Sequence, residues 1–335
     1  MSLAVALAAL LASAPPRAAG APAELQVHRE SRALMGTRVD VVVEGVAGAL
    51  LARAADAAYK EMTRLSDMMN HYDPGSVVSE INRQAGVRAV PAPPELMSVL
   101  VLAQRMSVKT GGAFDITVGS LRGWRFNPED PEMPSAQQIR ALLPLVNYRD
   151  VILDRAAGTA FLRRAGMRID LGGIAKLYIL HAGMDVLKRA GIAHAMINGG
   201  GDVEVAASVQ GHPWRIGIRD PRQPDKVFAV LERTHGFVVS SGDYERYFIK
   251  GGRRYHHILD PKTGYPTQGP RATTLVADDL ELVDGLSASI MVLGMARGRA
   301  LVEATPGLDG MIFAADGSVW VSSGLRGKLQ FLEQR

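Results

Sequence analysis

The chain has 335 residues, 47% of them hydrophobic and 21% charged, enough apolar material to bury a large core and too ordinary a composition for wholesale disorder. Its net charge of +4 comes from Lys and Arg scattered along the sequence, which argues against the concentrated basic stripe of a nucleic-acid binder. Cysteine is absent, so disulfides, thiolate chemistry, Cys-ligated zinc and lipid attachment at an N-terminal Cys are excluded.

The N-terminal stretch MSLAVALAALLASAPPRAAGAPA carries an apolar run from Leu3 to Ala14 followed by small residues, the shape of a signal-peptide core and cleavage zone. No Lys or Arg precedes the run, and it is too short to span a bilayer. Residues 1–23 are therefore expected to be a signal peptide cleaved between Ala21 and Ala23, which makes the mature chain periplasmic or otherwise exported. In TRVDVVVEG, Val39, Val41 and Val43 share one face of a predicted strand, with Asp40 and Glu44 on the other. From Ala49 to Met69, Leu50, Ala54, Ala58, Met62, Leu65 and Met69 recur at the spacing of an amphipathic helix. A second helix is predicted from Pro94 to Thr110, with prolines in its first turn.

The Pro-rich stretch FNPEDPEMPSAQ reads as a surface loop. Strands and turns then dominate from Arg163 to Tyr265, interrupted by a predicted helix from Ile174 to Ala190 that ends at Gly191, a C-terminal glycine cap. Near the end, LVDGLSASIMVLG reads as an apolar helix carrying one acid, Asp284, which would be expensive to bury unpaired. Strands and helices follow no regular βαβ alternation, so the expected fold class is α+β (mixed α/β). Neither a repeat nor a composition change marks a boundary within residues 24–335.

The segment RIDLGGIAKLYILHAG sets Gly172 and Gly173 between a strand-like run and a helix. Such a turn directs backbone N–H groups and the positive end of the helix dipole toward one point, where phosphate can bind. Neither G-x-G-x-x-G nor G-x-x-x-x-G-K-[ST] occurs, so the dinucleotide-fold and P-loop readings lack support, and the pair by itself reads better as a plain packing turn. Other segments change that balance. INGGGDVEV places Asn198 and Asp202 around three glycines, VVSSGDYERYF carries Ser240, Ser241 and Asp243, and YHHILDPKTGYP ends a strand at His257 and turns at Asp260. His256 and His257 are neighbours on a strand and point to opposite faces, so one of them at most enters a given cleft.

Together with LMGTR, MNHYDPGSVVSEINR and GGAFDITVG, these segments resemble, in the same order, the signature segments of the ApbE family of FAD:protein FMN transferases, from Leu34 to Gly294. The resemblance implies a T-fold-related core of mixed sheets flanked by helices, with two closely packed subdomains. It also implies FAD and Mg2+ as cofactors, and transfer of FMN to a threonine hydroxyl of a partner protein with release of AMP. By that likeness Met35 and Gly36 border the flavin, Tyr72 stacks near its ring, Asp115 binds the cofactor, and Asn198 and Asp243 belong to the binding segments. Gly172, Gly173, Ala175 and Lys176 lie at the pyrophosphate and metal, His257 and Asp260 line the reacting end, and Asp284 is the acidic metal ligand. Cleaving a diphosphate requires charge neutralisation, for which Mg2+ suits, and a hydroxyl nucleophile requires a base, either a carboxylate or His257.

The sequence departs from the family pattern in three places. The Thr expected four residues after Asp284 is Ala288; on a continuous helix Ser287 is the neighbour able to supply a hydroxyl to the metal, whereas Ser289 points away. KLYILH puts Leu177 where a Gly is usual and His181 where an acid is usual, and Ser120 and Arg122 alter a third segment. Two alternatives to a transferase therefore stand: an FAD-binding accessory protein without catalysis, and an FAD pyrophosphatase giving FMN and AMP. The expected partners are FAD and an acceptor protein, with no nucleic acid and no transmembrane span in the mature chain.

Overall fold

In a computed structural model, which describes residues 25–207 and 212–332, the chain opens on a hairpin of β1 (Gln26–Leu34) and β2 (Thr37–Gly45). The expected signal peptide lies outside the described residues. Helices α1 (Gly48–Met69) and α2 (Val77–Arg83), strand β3 (Val90–Pro91) and helix α3 (Pro94–Lys109) follow. The Pro-rich loop precedes α4 (Ala136–Leu142), the hairpin β4 (Val151–Asp154) and β5 (Thr159–Leu162), and α5 (Ala175–Arg189). Next come β6 (His194–Gly199), β7 (Asp202–Val205), β8 (Trp214–Asp220), β9 (Gln223–Arg233) and β10 (Gly236–Gly242). The hairpin β11 (Tyr247–Lys250) and β12 (Arg253–His256) leads to β13 (Ala272–Ala277), α6 (Leu280–Val283) and α7 (Leu286–Glu303). Strands β14 (Leu308–Phe313), β15 (Val319–Val321) and β16 (Leu329–Phe331) end the described chain.

Eight strands form one sheet in the order β1-β2-β6-β7-β10-β13-β14-β15, and its pairings are antiparallel throughout. Alternate residues of a strand face opposite sides, and the sheet uses both. Val39, Val41 and Val43 of β2, Phe237 and Val239 of β10, and Leu275 of β13 enter a core built with α1, α3, α5 and α7. Val238 of β10 and Val276 of β13 face the other way, onto Ile216, Ile218 and Leu231 of the smaller sheet β16-β9-β8. The sheet is thus a central layer between helices and a second sheet, the arrangement its two apolar faces demand.

The helices run close to their predicted limits. In α1 the first apolar position is shifted: Leu50 is exposed and Leu51 is buried, about 100° around the helix, on the stripe that continues through Ala55, Ala58, Met62 and Leu65. Helix α5 ends at Gly191 with φ +80°; Gly191 N–H donates to Lys188 and Ile192 N–H to Leu187, each at 3.0 Å, closing the helix through the left-handed glycine. The apolar run around Asp284 is not one helix. It breaks at Asp284, the C-cap of α6, and Gly285, at φ +72°, precedes α7.

Helices α1 and α5 pack closely where Gly183 faces Met62. A Cβ at Gly183 would lie 2.8 Å from both Cγ and Sδ of Met62, so the glycine sets the spacing of the pair. Gly183→Val is expected to overpack this seam and lower stability by about 1–3 kcal/mol. Urea unfolding of the two proteins checks it; an unchanged midpoint would show that Met62 yields without strain.

Candidate active site at one end of the central sheet

Several tight turns meet at one end of the central sheet. Between β1 and β2 the two-residue loop is Met35-Gly36, at φ +53° and +71°; Met35 is the one non-glycine residue with positive φ among those described. Between β6 and β7 it is Gly200-Gly201, at φ +63° and +96°, with Asn198 Oδ1 accepting the N–H of Gly201 at 3.0 Å. A Cβ on Gly200 would lie 2.6 Å from Thr37 Oγ1, so the two loops abut. Non-glycine residues in this backbone region store strain that recurs at ligand sites.

Beside these loops lies a buried charge cluster. Asp202, the first residue of β7, accepts the Ser240 N–H at 3.1 Å and pairs with Lys176 Nζ at 2.7 Å across the gap to α5. Asp284 is 2% exposed, and its Oδ2 is enclosed with no hydrogen-bond partner. Burial, together with the nearby charge of Asp202, pushes the Asp284 carboxyl well above the usual carboxylate range. His257 also has an unpartnered enclosed atom, Nδ1, although the ring as a whole is only half-buried. Burial, with Arg246 and His256 adding to it, pushes the imidazole down to about 3, so the ring is neutral at physiological pH. His256 points elsewhere: it is buried, with Nε2 2.9 Å from the Thr267 carbonyl oxygen.

Phe114 brings these segments together. A Cβ at Gly173 would stand 3.3 Å from its ring, and one at Gly285 would stand 3.0 Å from the same ring edge. The GGIAK turn and the Asp284-Gly285 break therefore flank one aromatic side chain, and glycine at both positions lets them approach it. Gly172 and Gly173 are exposed at the start of α5, whose N-cap, Ile174, supplies no side-chain cap. Gly172 N–H is held by Asp170 Oδ1 at 2.8 Å, and Asp170 pairs in turn with His71 at 3.3 Å. Tyr72 is 75% exposed, its ring centroid 3.9 Å from that of His71.

Other expected site residues are committed within the protein. Asp115 accepts from Thr117 N and Oγ1 at 2.8 and 2.5 Å and from Tyr148 N at 2.9 Å, which makes it a buried anchor for the segment that carries Phe114. Asp243 Oδ1 takes Arg254 Nη1 at 2.6 Å. Asp260 holds its own turn, accepting Lys262 N–H at 2.9 Å. Ser287 Oγ lies 2.7 Å from Ser241 Oγ and 3.0 Å from Thr273 Oγ1, so its hydroxyl belongs to a buried network instead of an open metal position. The sequence marks both Asn198 and Asp202 around three glycines, but its reading assigns only Asn198 to the site; Phe114 and Arg246 give no signal.

A family model for ApbE matches residues 35–312, most of the chain. This chain belongs to the ApbE family. It is 30% identical over 301 residues to the FAD:protein FMN transferase of Klebsiella pneumoniae, covering 89% of this chain and 92% of that protein. It is likewise 30% identical over 280 residues to the one of Treponema pallidum, covering 78% and 76%. The crystal structure of the ApbE protein of Thermotoga maritima superimposes with a TM-score of 0.83 at 33% identity, over 90% of this chain and 99% of that one. The flavin transferase ApbE of Vibrio cholerae gives 0.78 at 26%, over 92% and 100%. The chain is a transferase by this kinship.

Against the ApbE pattern, the three sequence departures take on different meanings. Leu177 is 2% exposed and lies in the main core, so it adds no bulk beside a nucleotide. His181 faces Glu204, 3.0 Å away on β7, and that buried carboxylate raises the imidazole; the missing acid on α5 has a counterpart on the strand. Ser120 Oγ accepts Arg168 N–H at 2.9 Å and serves as a tie between segments. The helix breaks between Asp284 and Ala288, so the continuous-helix spacing expected to relate them does not apply. The Ala288 side is half-open, whereas Ser287 is buried.

The two perturbed groups act on stability in opposite directions. Asp284, raised above 3.8, makes the unfolded chain the first to lose its proton, so stability falls as pH rises from about 4 toward the folded pKa. His257, lowered from 6.5 to about 3, leaves the unfolded chain binding the extra proton, so stability rises with pH across that window. Asp284→Asn in chelator is expected to gain about 1–2 kcal/mol at pH 7, as relief of a strained active site commonly does. His257→Gln should flatten the rise between about pH 3 and 6.5. Urea unfolding from pH 4 to 8 reads both; an Asp284→Asn protein less stable than wild type at pH 7 contradicts the assignment.

Proposed function

We propose that this chain is an FAD:protein FMN transferase that moves FMN to a threonine hydroxyl of a partner protein, releases AMP and depends on Mg2+. The carrying observation is the enclosed, unpartnered Oδ2 of Asp284 beside the Lys176–Asp202 pair and the GGIAK turn. A carboxylate so placed is costly by itself and becomes favourable when a cation arrives. Among the described residues no three His, Asp or Glu side chains form a ready-made cage. Mg2+ tolerates that, since it commonly keeps several waters and uses one or two carboxylates plus substrate phosphates. Asp284 would hold it, with a backbone oxygen near Ala175, and the ion would neutralise charge on the diphosphate.

The chain's own groups account for the rest. Lys176, held by Asp202, offers its ammonium to phosphate, and the exposed Gly172-Gly173 turn admits close approach of the diphosphate to the backbone. In the transfer, the threonine oxygen bonds to the FMN phosphorus, the bridging P–O bond breaks, and AMP leaves with the electron pair. The hydroxyl proton passes to a base. His257 is neutral with Nδ1 unpartnered, and a bound diphosphate supplies the negative charge that raises its basicity. Exposed Tyr72 at the mouth offers a face on which a flavin ring can stack. Export rests on the apolar run from Leu3 to Ala14 and matches a reaction on partners outside the cytoplasm.

The test is incubation with FAD, Mg2+ and an extract of the source organism, followed by a search for covalent flavin fluorescence in a denaturing gel. Wild type should label an acceptor, and Asp284→Ala should not. Ala288→Thr places a hydroxyl on the half-open side of α7, and is expected to lower the Mg2+ requirement and raise transfer by about ten- to hundredfold, equivalent to about 1–3 kcal/mol in the transition state. FAD binding without labelling, by wild type and Ala288→Thr alike, would establish the accessory-protein alternative. FMN and AMP formed without labelling would establish the pyrophosphatase.

A further inference from the structure

The site ends on a groove that neither the turns nor the charge cluster uses. It has a volume of roughly 520 Å³, with Phe126, Asn127 and Pro128 of the Pro-rich loop on one wall and Glu245, Arg246 and Tyr247 to Ile249 of β11 on the other. Phe248 and Phe126 stack at 6.2 Å, Phe248 and Tyr255 at 5.3 Å, and Trp124 lies 5.5 Å from Phe126, forming an aromatic floor. Trp124 also bonds through Nε1 to the Gly264 carbonyl at 3.2 Å, tying that floor to the turn opened by Asp260. Strand β11 pairs with β12 alone among the described strands, so its other edge has no strand partner, and Tyr247, Phe248 and Ile249 of this strand line the groove. Ile249 on that edge is 64% exposed.

The groove runs directly to the reacting end. Arg246, one of its lining residues, accepts the N–H of His257 through its carbonyl at 3.1 Å. The charged residues lining the groove are Glu245 and Arg246, and Glu245 is engaged by Arg219 at 3.2 Å.

We propose that this groove docks the acceptor polypeptide, whose segment beside the modified hydroxyl lies extended along the outer edge of β11, between it and the Phe126–Pro128 wall. The inference rests on the transferase reading. Backbone pairing to an open strand edge gives affinity without demanding a sequence, while alternate side chains meet the aromatic floor. A free hydroxyl donor lacks these contacts, so the groove directs transfer to protein and away from water.

The experiment uses the acceptor protein labelled by wild type in the extract assay, purified and titrated against the full chain. Ile249→Glu and Asn127→Trp alter opposite walls at exposed positions, and thermal unfolding checks that both variants remain folded. The expected result is an acceptor KM raised by about tenfold or more, with kcat at saturation and the FAD Kd near wild type. Unchanged acceptor KM in both variants overturns the docking site. Loss of FAD binding in either also overturns it, since the groove would then belong to the nucleotide. If wild type labels no acceptor, the transferase reading fails, and the docking inference falls with it.

Discussion

A carboxyl group sealed from water with one oxygen left without a hydrogen-bond partner is a costly feature for a protein interior, and the organisation of this site follows from having one at Asp284, where only the Gly285 N–H serves the group. The nearest compensating cation, Lys176, is already held by Asp202, which adds to the negative field instead of relieving it. When both acids are ionised, two carboxylates and one lysine leave the cluster short of positive charge, an imbalance that a cation bound together with an anionic substrate would resolve. His257, whose Nδ1 is enclosed, is held neutral by burial and by the charge of Arg246. The site is poised for a highly charged ligand and uncomfortable without one.

That discomfort is sustained by rigid surroundings. The central sheet brings the Met35-Gly36 turn, the Gly200-Gly201 turn, and the ends of β10 and β13 to one place through antiparallel pairing, with no adjustable linker among them. Phe114 wedges Gly173 against Gly285, while Asp115, the next residue, is pinned by Thr117 and Tyr148. The hydroxyl network of Ser241, Thr273 and Ser287 fastens the start of α7 to the sheet. Packing and hydrogen bonds invested here hold the buried acid in position, a distribution of strain and support usual at catalytic centres.

The sequence made the regular parts legible. Valine alternation in β2 and apolar spacing in α1 and α5 report local geometry that tertiary contacts did not override. The glycine-flanked segments assigned Lys176, His257 and Asp284 to one site through their resemblance to a family, and the Lys176 charge acts on both His257 and Asp284. What escaped was set by distant contacts. The run LVDGLSASIMVLG looks like an unbroken helix because nothing local reveals that Gly285 must turn left-handed beneath Phe114. Asp115 and Ser287 carry site-like chemistry yet turn inward, and Leu177 turns into the core, because direction depends on what packs above them. The groove beside β11 was unreadable, as two walls far apart in sequence create it.

Calorimetric titration of FAD into the wild type and Asp284→Asn, each with and without Mg2+, tests the central claim most directly. If the buried carboxylate awaits a cation shared with the diphosphate, Mg2+ tightens FAD binding to the wild type by about tenfold or more, equivalent to at least about 1.4 kcal/mol, and leaves the Asn variant unaffected. Equal tightening in both proteins, or none in the wild type, would contradict the account.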